Sequence, residues 1–176
     1  MRHYQLFTRE NRLFMFMNVL FMPGLVNILI ALSLANLLFQ KGLPVSFWGQ
    51  QSLIIDLLMS SFLATLITGL IGYYVTRRGL LKGALTPVRA SARPTLLNRF
   101  AHMPLRSHLI LALLAVLLTA LLLSVFVLSH EADAISWLSF VWIKSVQALL
   151  ISIYASSLAT LLALQLDMPK GEESLA

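Results

Sequence analysis

Two charged residues sit where charge is expensive. Asp56 and Lys144 fall inside long apolar stretches, and a charge at a bilayer centre costs about 2.5–3.5 kcal/mol or more. Asp56 lies eight residues after Trp48, and Lys144 seven after Trp137. At about 1.5 Å rise per residue, both come roughly 10–12 Å below the level of those indoles. Opposite sign at matching depth points to an intramembrane ion pair. Three roles are open: a pair that fixes the register of two helices, a Lys144 whose long stem carries its ammonium to the interface, or a polar site for an ion, a proton or a substrate headgroup. Asn36 is a supporting polar group at about the same level, Gln147 lies one turn beyond Lys144, and Asn27 falls near mid-membrane. A continuous polar route is not expected, because the third apolar stretch offers only Thr119 and Ser124.

Other chemistry is not expected. His3, His102 and His108 belong to one side of the membrane and His130 to the other, and His108 and His130, at opposite ends of one helix, cannot jointly ligate a haem. HExxH, CxxC and carboxylate clusters are missing, as are phosphate-binding glycine loops. The chain has no Cys, which excludes disulfides and thiol redox chemistry. The expectation is therefore no catalytic residue, no metal and no cofactor.

The elements that carry these residues are plain from composition. The 176-residue chain is 11% charged, where a soluble domain runs nearer a quarter, and its mean hydropathy is +0.84. Four apolar stretches, at about 18–39, 53–75, 109–128 and 138–166, each approach the roughly 20 residues that a hydrocarbon core of about 30 Å requires. Their apolar runs are continuous rather than alternating, which predicts helices and not barrel strands. The expected fold is an all-α integral membrane protein, a four-transmembrane-helix bundle forming one membrane domain over 1–176. Arg2, Arg9 and Arg12 ahead of an apolar run, with Ser33-Leu34-Ala35 beyond, loosely resemble a secretory leader. Pro23 and Asn27 interrupt that run, and its removal would leave an odd number of spans, so it reads as an uncleaved first span.

Charge sets the orientation. The net charge is +6, and it clusters beside the spans, so nucleic acid is not the expected partner. The segment Thr76 to Ser107 carries seven basic residues (Arg77, Arg78, Lys82, Arg89, Arg93, Arg99, Arg106) and no Asp or Glu. The loop at 40–52 has only Lys41, and the loop at 129–137 only Glu131 and Asp133. Basic segments stay in the cytoplasm, which predicts both termini inside and, from compactness and topology, a bacterial inner membrane. Trp48 and Trp137 then mark the outer interface, and Tyr73 and Tyr74 the inner end of the second span.

Small residues predict how the helices pack. Ser61, Thr65, Thr68 and Gly72 recur at spacings of three and four in the second span, as do Ser152, Ala155, Ser156 and Ala159 in the fourth. In lipid such residues let backbones approach closely, either within the chain or along a homo-oligomer seam. The first and third spans should face lipid or the flanks. Pro23 should kink the first. Ser61-Phe62-Leu63-Ala64-Thr65-Leu66 aligns with Ser156-Ser157-Leu158-Ala159-Thr160-Leu161, which suggests two repeated helical hairpins or chance recurrence in a simple composition. In the basic loop, apolar residues at 96, 97, 100 and 103 predict a short surface helix over 94–103; Gly79, Gly83 and Pro87 should break any continuation of the second span. Arg77, Arg78, Arg93, Arg99 and Arg106 are candidates for lipid headgroups, unless their charge serves topology alone.

Three functions fit this pattern. The first is a non-enzymatic membrane protein that binds another membrane protein, as an accessory or immunity-type subunit; the likeness is of size and layout only. The second is a small homo-oligomeric transporter or channel with its polar site at Asp56 and Lys144. The third is a protein that binds anionic lipid. The first is preferred, because transport leaves polar residues along a route.

Overall fold

The computed structural model describes residues 13–14, 16–49, 51–87, 99–129 and 133–166. Its long elements are all helical: a π-helical turn (Phe16–Phe21) leading into α1 (Met22–Leu38), then α2 (Leu53–Leu81), α3 (Pro104–Leu128) and α4 (Trp137–Ala163). Two short strands, β1 (Val45–Ser46) and β2 (Ala134–Ile135), precede α2 and α4. By length and composition α2, α3 and α4 could each cross a membrane, while α1 is a shorter apolar helix of 17 residues.

Local chemistry sets the ends. Ser52 is extended and its hydroxyl accepts from Ile55 N, and Ser136 does the same for Ser139 N, each satisfying a backbone donor that a helix start leaves open. Pro104 opens α3, where a missing N–H costs nothing. Pro23 sits at the start of α1, directly after the π-helical turn. It cannot donate to the preceding turn, and the distortion expected from it takes the form of this wider helical turn.

Two boundaries differ from the sequence expectation. The second span runs six residues beyond Val75, through Arg77, Arg78 and Gly79, and stops only at Lys82 and Gly83, whose φ is +69°. Gly79 does not break the helix. It gives room instead: a Cβ there would lie 2.8 Å from Leu85 Cδ1, so its bare backbone lets the following turn fold back. The third helix starts five residues early, at Pro104, and takes in Ser107 and His108. Half of the surface helix expected over 94–103, residues 94–98, falls outside the described residues; 99–101 are helical.

The helices exchange partners between hairpins. α2 and α4 lie side by side at the centre, α3 packs on α2, and α1 packs on α4, whereas α1 scarcely touches α2 and α3 scarcely touches α4. The strands repeat this exchange: β1 of one hairpin pairs antiparallel with β2 of the other, Val45 opposite Ile135 and Ser46 opposite Ala134. Beneath them Phe47, Leu53, Leu57, Leu123 and Phe140 form an apolar plug at that end of the molecule.

The depth register of α2 and α4 overturns the alignment that suggested repeated hairpins. Ser61 lies eight residues into α2 but Ser156 nineteen into α4, a difference of about 16 Å along the axis. Residues level with each other are instead Asp56 with Lys144, Ser61 with Gln147, and Thr76 with Thr160. The two six-residue segments match in composition and not in place.

Candidate functional site

Lys144 and Asp56 meet at the α2–α4 interface. Lys144 Nζ donates to Asp56 Oδ2 beneath the apolar plug, and the side chains are 1% and 9% exposed. Lys144 therefore does not reach out to the interface; its ammonium also lies 5.7 Å from the centre of the Phe140 ring. Asp56 in the first turn of α2 and Lys144 two turns into α4 come to the shared face, which is how two costly groups satisfy each other.

Below this pair, polar side chains continue along the same interface. Gln147 Nε2 donates to Leu57 O (2.7 Å) and to Ser61 Oγ (2.8 Å), and Ser61 Oγ contacts Thr119 Oγ1 of α3 at 2.7 Å. Further along, Asn27 of α1 spends its amide on two helices at once, donating to Thr68 Oγ1 (2.9 Å) and Ser152 Oγ (2.6 Å). Thr76 and Thr160 hydroxyls come within 3.4 Å, and Tyr73 Oη donates to Ala101 O at 2.6 Å. From Asp56 to Thr76 the seam covers 20 residues of α2, about 30 Å, the whole thickness of a hydrocarbon core. The row is thus longer than Asp56, Lys144, Gln147 and Asn27 alone suggest. Hydroxyls spaced one per turn read as small packing residues, and only the assembled faces show them as a continuous row.

The packing stripe supplies the rest of the seam. Thr65, Ala155, Ser156 and Ala159 are buried, and a Cβ on Gly72 would come 3.3 Å from Ala159 Cβ. Gly69 is tighter still: its missing Cβ is the space filled by the His108 ring of α3. His108 is fully buried, with Nδ1 2.7 Å from Pro104 O. Its place in the core was not foreseen, and the pairing of a helical glycine with an imidazole leaves no spacing signal in sequence. Among the described residues, buried polar atoms without a hydrogen-bond partner are Thr65 Oγ1, His108 Nε2, Ser156 Oγ and Gln165 Oε1.

Some expected site residues do not join. Asn36 is exposed and its amide donates to Leu32 O on its own helix. It lies nine residues from Asn27, two and a half turns, so the two amides point to opposite sides of α1. Arg77, Arg78, Arg99 and Arg106 are exposed at the end of the molecule away from the strands, and Arg93 lies outside the described residues. Among the described residues no group of three or more His, Cys, Asp or Glu could hold a metal ion.

The other face of α4 is unlike the seam. Because α3 leans on α2, an open groove of about 600 Å³ separates α3 from α4. Leu114, Leu118 and Leu122 line one wall, and Trp142, Val146 and Leu150 the other, with Thr119 and Gln147 also on its lining. Compared with family models, curated proteins and solved structures, the chain matches none.

Proposed function

We propose that the chain is a small, non-enzymatic integral membrane protein whose α3–α4 groove receives one transmembrane helix of another membrane protein, as an accessory or immunity-type subunit. The shape of the groove carries this reading. Each wall is a row of large apolar side chains at a spacing of four residues, which is the ridge of a helix surface, and the trough between two ridges accepts the ridge of a third helix. The lining runs from Leu114 to Phe126 on one side and from Trp142 to Tyr154 on the other, about 18 Å along the axis.

In this reading the π-helical turn and α1 together make the first of four spans, since together they offer six and 17 residues, enough for a core of about 30 Å. The end carrying Arg77, Arg78, Arg99 and Arg106 faces the cytoplasm of a bacterial inner membrane, both termini with it, by the distribution of basic residues. The test is a photo-crosslinking side chain at position 118, on the groove wall, against one at Leu63, which is also exposed but lies on α2. A heterologous adduct of fixed mass from 118 alone supports the proposal. A homodimer adduct, or none, removes it.

A second reading rests on the length of the polar seam: a homo-oligomeric transporter or channel with Asp56 and Lys144 as its site. Hydrogen bonds between the helices favour adhesion over passage, because the groups that would carry an ion already face one another. Proton or cation flux in liposomes, abolished by Asp56→Asn in a protein that still folds, would establish the second reading over the first.

A further inference from the structure

The opposite pair of neighbours, α1 and α2, leaves a smaller cleft of about 290 Å³, backed by Thr160 of α4. It is independent of the partner groove, and its lining closes at Phe14, Val75 and Thr76, two residues short of Arg78. Its apolar lining on α2 is Ile67, Ile71 and Val75, facing Val26 and Ile30 of α1. From Ile67 to Thr76, where the lining ends, is nine residues, about 14 Å, close to the depth of the hydrocarbon in one leaflet.

Arg78 continues this stripe. It lies seven residues after Ile71 and eleven after Ile67, so at about 100° per residue it projects within roughly 20° of both, just past the end of the cleft. Its side chain is exposed, α2 is still helical there, and the sequence from Thr76 to Ser107 holds no acidic residue. Arg77 carries the same charge but points about 100° away. An apolar slot one leaflet deep, ending at an exposed guanidinium, has the charge and the length of a phospholipid with a single anionic headgroup.

We propose that the α1–α2 cleft binds one acyl chain of an anionic phospholipid from the leaflet on the basic side, with the lipid phosphate held by Arg78. Guanidinium and phosphate make paired, charge-assisted hydrogen bonds, and the chain lies along Ile67, Ile71 and Val75. The cleft is less than half the volume of the α3–α4 groove, which favours a chain over a helix.

The test is native mass spectrometry of the full-length protein in detergent, titrated with an equal mixture of phosphatidylglycerol and phosphatidylcholine. The wild type should retain one phosphatidylglycerol in preference. Arg78→Gln should reduce that preference about fivefold, the worth of one basic residue near an anionic surface. Ile71→Trp fills the slot from an exposed position, 60% accessible, and should lower retention of both lipids. Equal losses in Arg77→Gln and Arg78→Gln would mean diffuse attraction to the basic end and would overturn the site. So would unchanged retention in Ile71→Trp.

Discussion

One helix, α4, presents two faces of opposite character. Toward α2 and α1 it shows Lys144, Ala148, Ser152, Ala155, Ser156 and Thr160, all buried; toward α3 it shows Trp142, Val146 and Leu150, all exposed. In water the assignment would be reversed. In lipid, burial gives an apolar side chain little that acyl chains do not, and helices adhere through close backbones and interhelical hydrogen bonds. The small and polar face is therefore the adhesive of this molecule, and the large apolar face is what it offers to its surroundings.

Substitutions should separate the two faces sharply. Lys144→Met leaves Asp56 buried without its counter-ion, and we expect a loss of about 3–5 kcal/mol in unfolding by denaturing detergent, with most of it recovered in the double variant Asp56→Leu/Lys144→Met. A single-variant loss below about 1 kcal/mol would mean that the pair does not hold the seam. Gly69→Ala drives a methyl group into the His108 ring, and overpacking of this kind should lower stability by about 1–3 kcal/mol; thermal unfolding in mild detergent reads it. Asn27→Leu removes two interhelical hydrogen bonds, each worth about 0.6 kcal/mol in a membrane protein, so a loss near 1 kcal/mol is expected by the same assay. Leu118→Ala, on the groove wall, should change stability by no more than about 0.5 kcal/mol while weakening crosslinking to the proposed partner helix. If Leu118→Ala unfolds the protein as readily as Gly69→Ala, the two faces are not distinct in kind.

Much of this was legible before the structure. The long apolar helices show because apolar runs of this length have few other readings, and the Asp56–Lys144 meeting shows because aromatic residues near the helix starts give a depth scale that sequence preserves. That α2 and α4 face each other shows in their small-residue stripes, but where α1 docks does not. α1 packs on α4 because its contact stripe of Gly24, Asn27, Ala31 and Ala35 faces that helix, with Asn27 bonded to Ser152 and Gly24 against Leu149. Asn36 had the right depth and the wrong azimuth. His108 sits in the core through a vacancy at Gly69, and complementarity of that sort belongs to two surfaces and to neither sequence segment. Ser61 and Ser156 aligned because hydroxyl and alanine residues recur in any close-packed membrane helix.

The exchange of helices between hairpins imposes an order on biogenesis. Asp56 enters the membrane 88 residues ahead of Lys144, and α2 ahead of both α3 and α4, the two helices it packs on most extensively. The first hairpin thus emerges with an uncompensated carboxyl and an adhesive face with nothing to adhere to. Both are satisfied only when α4 has been made. A chain ending after α3 would lack both the counter-ion of Asp56 and the helix against which α2 packs.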